Sequence, residues 1–398
     1  MKILTVNAGS SSLKFNLISL PEEKELISGY FEKVGLSGGI YSIKINGSKI
    51  KKEADMKDHS VAIELLVKEL LENKIISSLD EIDGVGHRLV HGGDKYASSV
   101  LIDDEVIKTV EELSSLAPLH NPANILGVKA FQKALPNVPM VGVFDTAFHQ
   151  TMEEQEYLYP VPYSWYRDYQ IRKYGFHGTS HKYITKVMQE KLGKKDINII
   201  SCHIGSGGSI CCIKDGKSLD TTMGFTPNAG LLMGTRCGDI DYSIIPYYME
   251  KTGASLKEVD TILNKKSGLL GISEKYSDHR DIETAMKNNE HLAIVANEMY
   301  VNRIVSYIAD YYVKLNGKVD AIVFTAGLGE NAREFRSDVL NKLECLGIYI
   351  DEEKNQAIAG YLDINEGVIS KENSSVDVYV VPTNEELMIA LDTYDLIK

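Results

Sequence analysis

At 398 residues the chain is too long for one comfortable hydrophobic core, so two domains of roughly 150–200 residues each are expected. Apolar residues make up 43% and charged ones 25%, the balance of a water-soluble globular protein rather than a disordered or membrane-embedded one. Lys and Arg total 43 against 56 Asp and Glu, a formal net charge of −13, which argues against nucleic acid or an anionic membrane as partner. In chain order, ILTV and LKFNLI predict strands over 2–8 and 13–18 around a small-residue loop, Ala8 to Ser12. Further β-like runs near 27–34 and 40–46 extend an antiparallel meander, and VAIELLVKELL predicts an amphipathic helix over 61–71. Helices follow near 103–115 and 122–134, and MVGVF (140–144) is a buried-strand run that delivers Asp145 at its end. Thr179 or Ser180 is the expected cap of a helix running to Lys191.

From Asn198 a second β-rich start appears. ILTVNAGSSS lies over IISCHIGSGG without a gap, with Ile3 on Ile199, Gly9 on Gly205 and Ser10 on Ser206. Meander-like strands and then helices follow both copies, the pattern of a duplicated α/β unit, although chance similarity of two strand–turn–strand segments gives the same view. The remainder reads as helices at 242–252, 291–315, 331–344 and 385–396, with strands AIVFT (321–325) and VYVV (378–381). No stretch has the length of a membrane span, and the start has too short an apolar run for a signal peptide. The five cysteines are odd in number and lack paired metal spacing, so reduced thiols in the cytoplasm are the expectation.

Three segments have the small-residue chemistry that lets backbone N–H groups approach phosphate oxygens: Ala8 to Ser12, Gly205 to Gly207, and the Gly-x-Gly of AIVFTAGLGEN. None is a P-loop, and the first two are equally readable as hairpin turns. The third reads as a buried strand, a turn and a helix start that could meet a nucleotide, or as an ordinary βα turn. Cations and histidines recur on segments that read as loops, most of them Gly-flanked: Arg88 in GHRLVHGG, His120 before a helix start in PLHNPAN, His177 in YGFHGTSH and Arg236 in GTRCGDID. In so acidic a chain, four such groups together form the kit of phosphoryl transfer, which needs positioned positive charge and little covalent work from the protein. Asp145, ending an apolar strand, stands where α/β proteins place ligand residues.

Ten ordered blocks extend this to a resemblance over essentially the whole chain. NAGSSSLKF (7–15), GHRLVHGG (86–93), PLHNPAN (118–124), FDTAFH (144–149), YGFHGTSHKY (174–183), CHIGSGGS (202–209), MGTRCGDID (233–241), SDHRDI (277–282), FTAGLGEN (324–331) and PTNEE (382–386) resemble the acetate kinases. The resemblance implies an α/β fold of duplicated ribonuclease H-like, actin-like ATPase domains with a cleft between them. The first domain would cover 1–147 and be joined by the C-terminal helix 385–398, and the second would cover 148–384. It implies a homodimer that transfers the γ-phosphoryl group of ATP to acetate, giving acetyl phosphate and ADP, with Mg²⁺ as cofactor and Mn²⁺ as a substitute. Propionate kinase is the near alternative; a pyrophosphate-using enzyme and a non-catalytic nucleotide-binding regulator are more distant ones.

Carried over by motif, Asn7 and Glu385 would help hold the metal and Lys14 would reach the nucleotide phosphates. Arg88 would bind the carboxylate substrate, while His177 and Arg236, supported by His120, would steady the phosphoryl group. His203, Ile204, Gly205, Ser206, Gly207, Asp278, His279, Arg280, Gly327, Leu328, Gly329, Glu330 and Asn331 would bind ATP. Val90, Leu119, Phe176 and Pro227 would form the apolar pocket for the substrate methyl. The family gives Asp145 the part of acid/base, but a carboxylate substrate with a pKa of about 4 is already ionised at neutral pH, so orienting Arg88 or a metal-bound water is the better-fitting job. The chain departs from the family pattern at Ser206, where Asn is usual, at Asp241-Tyr242, where Asp-Pro is usual, and in TPNAGLLMG (226–234). Cys237 stands where Ser is frequent, and its neighbour Arg236 suggests a lowered thiol pKa.

Overall fold

Chain order and sheet order diverge after the opening meander. The computed structural model describes residues 1–398, which cluster into two compact units. One comprises Met1–Gln150, Gly178–Lys182 and Asn384–Lys398; the other comprises Thr151–His177 and Tyr183–Thr383.

The first unit holds an eight-stranded sheet made of β1 (Lys2–Gly9), β2 (Ser12–Ser19), β3 (Lys24–Glu32), β4 (Ile40–Ile45), β5 (Ser48–Glu53), β6 (Gly84–Leu89), β7 (Val100–Leu101) and β8 (Met140–Phe144). Its order is β5-β4-β3-β2-β1-β6-β8-β7. The meander β1 to β5 is antiparallel, and β6 then joins β1, and β8 joins β6, in parallel. Parallel pairing needs crossover chain to cover the sheet, and so strands β6 and β8 are almost wholly buried. The C-terminal helix Glu385–Ile397 lies across β6, and glycine is required beneath it: a Cβ on Gly84 or Gly86 would collide with Ile397, Thr393 or Ile389.

The second unit repeats this plan with β9 (Ile199–Ile204), β10 (Gly208–Lys214), β11 (Lys217–Thr221), β12 (Ala321–Thr325), β13 (Gly367–Val368) and β14 (Asp377–Val380), in the order β11-β10-β9-β12-β14-β13. β3-β2-β1-β6-β8 and β11-β10-β9-β12-β14 therefore share one topology: three antiparallel strands, then two parallel additions. The repeat suggested by ILTVNAGSSS and IISCHIGSGG is thus a repeat of fold, with β1–β2 matched by β9–β10. The fold class is mixed α/β, built on two sheets. Cys202, Cys211 and Cys212 are buried on β9 and β10, because both faces of that sheet are covered.

Four local expectations change. Thr179 and Ser180 lie inside the helix Gly178–Leu192, whose N-cap is His177 in a left-handed conformation, φ 56°. The Gly-x-Gly of AIVFTAGLGEN is not a turn before a helix; it lies within the short helix Ala326–Asn331, made possible by a left-handed Ala326, φ 64°. The 331–344 helix splits into Arg333–Asn341 and the 3₁₀ turn Glu344–Leu346. Arg88 sits on a strand, not a loop. No helix is long and apolar enough to cross a membrane.

Candidate active site

In the first unit, β6 and β8 are in register with Arg88 opposite Val143, so Asp145 comes one step beyond the strand end, its N–H bonded to the Leu89 carbonyl at 3.0 Å. Arg88 Nε donates to Asp145 Oδ1 at 2.9 Å and Nη2 to Oδ2 at 2.6 Å. This bidentate contact leaves the guanidinium planar, fixed and charged; Asp145 holds its pKa above the ordinary arginine value. Arg88 lines a small pocket with Asn7, Lys14, Glu385 and Glu386. Asn7 and Lys14 are there because they face each other across β1 and β2. Lys14 pairs with Glu386. Burial raises the Glu385 carboxyl, with Arg88 pulling the other way, so a cation placed against it would be welcomed. No group of three or more His, Cys, Asp or Glu side chains forms a metal cage. Mg²⁺ is commonly held by one or two carboxylates with phosphates and water, and Glu385 with the Asn7 amide fits that donor chemistry.

The PLHNPAN block is mostly scaffolding. Asn124 accepts from the Val90 N–H at 3.1 Å and donates to the Ala8 carbonyl at 2.8 Å, and Asn121 accepts from the His91 N–H at 3.2 Å. Both asparagines are buried, and together they lock the chain just after Arg88. His120 is exposed at the N-cap of the helix Asn121–Ala134. Val90 is buried and Leu119 is 72% exposed, both in the first unit, whereas Phe176 and Pro227 belong to the second.

The second unit contains a cavity of about 840 Å³, within the range typical of ligand sites. Gly205, Ser206 and Gly207 form its rim at the β9–β10 hairpin, where Gly205 N–H donates to the Gly207 carbonyl at 3.0 Å. His177 stands over that hairpin. Its Nδ1 is 2.9 Å from Ser209 Oγ and its ring stacks on His203 at 4.2 Å. A Cβ built on Gly207 would lie 3.5 Å from His177 Nε2 and 3.7 Å from Arg236 Nη1, so both nitrogens face one spot above a residue with no side chain. Arg236 Nη1 donates to the Pro227 carbonyl at 2.9 Å; no carboxylate pairs with it, and burial lowers its pKa. Such a guanidinium suits a ligand anion better than a structural ion pair.

Farther along the wall lie Asp278, His279, Arg280, Gly327, Leu328 and Asn331. Asp278 caps the helix His279–Lys287 and binds Arg280 at 2.9 and 2.6 Å, which lowers its carboxyl to about 2. His279 is buried, with Nε2 2.9 Å from Asn297 Oδ1. His203, Ile204, Gly329 and Glu330 do not line the cavity; His203 is buried against the His177 ring. Ile204 is core, and Gly329 is buried against Phe324. Glu330 turns inward, accepting from Ala326 N–H at 2.8 Å and Thr383 N–H at 3.1 Å, and burial raises its pKa.

The acetokinase family model matches residues 2–391. The acetate kinase of Bacillus cytotoxicus is 53% identical over 397 residues, covering 99% of this chain and 98% of that protein. The chain belongs to the acetokinase family. Among solved structures, Porphyromonas gingivalis acetate kinase matches with a TM-score of 0.94 at 46% identity, covering both chains fully. A propionate kinase from Francisella tularensis matches with a TM-score of 0.93 at 41% identity, covering 99% of each chain.

Of the departures from the acetokinase pattern, Ser206 lies exposed at the hairpin tip and Tyr242 is 79% exposed. The expectation for Cys237 is overturned: its thiol pKa is raised, first by burial, and the Arg236 guanidinium is directed at Pro227 rather than at the sulfur. Wall residues absent from the ten blocks are Leu269, Glu283, Tyr300, Ala332 and Tyr361. Glu283 and Ala332 lie within two residues of recognised blocks, so extending each block by a helical turn would have found them. Tyr361 carried no signal in the sequence.

Proposed function

We propose that this chain is an acetate kinase that reversibly transfers the γ-phosphoryl group of ATP to acetate, giving acetyl phosphate and ADP. The observation that carries this reading is the convergence of His177 Nε2 and Arg236 Nη1 over Gly207, at the rim of a cavity large enough for a nucleotide. Charge developing on the equatorial oxygens of a transferring phosphoryl group needs such preorganised donors. The second unit supplies them and the nucleotide wall; the first supplies Arg88 for the substrate carboxylate. Acetate is ionised at neutral pH and attacks the γ-phosphorus directly, in line with the departing ADP oxygen, so no protein base is required. Asp145 keeps Arg88 aimed, and Ser209 fixes the ring of His177. Mg²⁺, held in part by Glu385 and Asn7, would screen the phosphate charge when bound. A homodimer in the cytoplasm is the accompanying expectation, and Lys14, paired with Glu386, would have to exchange partners to reach a phosphate.

Propionate is the second acceptor to weigh, because the overall likeness to a propionate kinase nearly equals that to an acetate kinase. One methylene in an apolar pocket is worth about 1–3 kcal/mol, so discrimination between the two acids would be modest. Trapping acyl phosphate with hydroxylamine, using acetate, propionate and butyrate against ATP, GTP and pyrophosphate, tests the reading. Hydroxamate from acetate with ATP is the expected result; none from any pair removes the kinase assignment.

A further inference from the structure

The cavity of the second unit has two chemically different ends. One carries Gly207 and Arg236, with His177 standing over Gly207. The short helix Ala326–Asn331 leads away from it: Gly205 lies 3.8 Å from the Gly327 nitrogen when given a Cβ, and Asn331 abuts Gly360. Six residues of helix advance about 9 Å. Beyond it stand Ala332 and Tyr361, which is 63% exposed, with Leu328 on the wall between the two ends. An exposed aromatic ring in a ligand cavity, at the end of the wall opposite Arg236, is the chemistry that receives a flat heterocycle.

Tyr361 is placed there by more than a passing loop. Arg336 is wholly buried, and its Nη1 donates to the carbonyls of Gly329 and Glu330, both at 2.9 Å. Its Nη2 donates to the carbonyls of Asn355 and Ile358, at 3.1 and 2.7 Å, and its Nε to Asn355 Oδ1 at 2.8 Å. One guanidinium therefore clamps the segment entering the Tyr361 turn to the helix that forms the cavity wall. The turn itself is closed by Leu362 N–H to the Ala359 carbonyl, 2.9 Å, and Ala359 N–H to the Ile364 carbonyl, 3.2 Å. The Gly360 backbone packs so closely on Asn331 that a Cβ there would sit 3.0 Å from its Oδ1. The Arg333 guanidinium lies over the Tyr361 ring, 5.9 Å from its centroid.

We propose that Tyr361 is the stacking platform for the nucleobase, supplying nucleotide affinity without choosing between adenine and guanine. This rests on the kinase reading above. A π-face stacks on any base, so the contribution is tolerant of base identity, and it belongs to binding rather than to the transfer step.

The test compares the parent with Tyr361→Ala, Tyr361→Phe and Tyr361→Trp, measuring Kd for ADP and GDP by calorimetry, KM for ATP and acetate, and inhibition by inorganic tripolyphosphate, which has no base. Tyr361→Ala is expected to weaken ADP and GDP alike, roughly tenfold or more, with the loss falling on nucleotide KM rather than on acetate KM. Tyr361→Phe and Tyr361→Trp should restore the affinity, and tripolyphosphate inhibition should not move. Unaltered ADP affinity in Tyr361→Ala overturns the proposal, as does an equal loss for tripolyphosphate, which would mark general damage to the wall. A parent that binds no nucleotide fails the kinase reading itself, a result separable from any behaviour of the variants.

Discussion

Asp145 grips Arg88 with both carboxylate oxygens, at 2.9 and 2.6 Å, from the residue immediately after a buried parallel strand. Two oxygens spent on a guanidinium leave little of the carboxylate free for proton transfer, and the pair is fixed by register rather than by a mobile loop. Asp145→Asn keeps the shape and removes the charge. It should lower kcat/KM for acetate on the order of a hundredfold, since breaking a buried pair costs about 3–5 kcal/mol when none of it is recovered elsewhere. The shape of the pH profile should stay as in the parent. Loss of a limb from that profile would instead make Asp145 a proton carrier.

His177→Ala should cost kcat on the order of 10²–10³, the usual effect of deleting one preorganised donor to a developing anion. Ser209→Ala should cost less, roughly tenfold, because it frees the ring without removing it. Steady-state kinetics with ATP varied will separate the two from a binding defect: if nucleotide KM carries the whole loss in His177→Ala, its nitrogen does not act on the transferring group.

The Arg336 clamp predicts instability as well as weakened nucleotide binding. Arg336→Met fills much of the volume and leaves four carbonyls without their donor, so unfolding in urea should require about 3–5 kcal/mol less free energy. An unchanged midpoint and slope would show that water or neighbouring groups satisfy those carbonyls.

Stability should also fall with acid. His87 is buried beside Phe131, its Nε2 has no partner, and burial lowers its pKa to about 3; burial likewise lowers His91 to about 4. A depressed histidine binds its proton more readily when unfolded. The associated stability is therefore complete above the unfolded value, near 6.5, and is lost progressively below it until the folded values are reached. Each such histidine contributes a slope of about 1.4 kcal/mol per pH unit in that window. Replacing His87 with Leu should flatten the dependence of Tm on pH between neutral and mildly acidic buffer. An identical slope would assign the acid sensitivity elsewhere.

Thiol reagents should find Cys345 first. It is exposed, while Cys202, Cys211 and Cys212 are buried and Cys237 is half-buried with a raised pKa. Cys345→Ser should abolish the fast phase of labelling, and Cys237→Ser should leave it intact. Rapid labelling of Cys237, blocked by nucleotide, would contradict this order.

These cases show what was readable in the letters. Asp145 was legible because an apolar run ends on a carboxylate, and the repeat because two hairpins share small residues at one offset. The Cys237 expectation failed because adjacency in sequence says nothing about direction: Arg236 reaches for the Pro227 carbonyl, and burial decides the thiol. The Gly-x-Gly segment looked like a turn because glycine permits one, yet Ala326 takes the strained left-handed step and the glycines continue into helix. Arg336 was invisible. In sequence it is one charge on a polar helix, and its meaning depends on carbonyls some twenty residues downstream.

That last dependence limits how the protein can be re-engineered. The Tyr361 turn looks like a portable insertion, a short closed loop at the edge of a domain. Its anchor, however, belongs to a different stretch of chain. A graft of residues 355–364 into a relative would hold its shape only in a host already carrying an inward arginine at the equivalent of Arg336, and a library that randomised the loop alone would sample tips without altering the hinge point that fixes them.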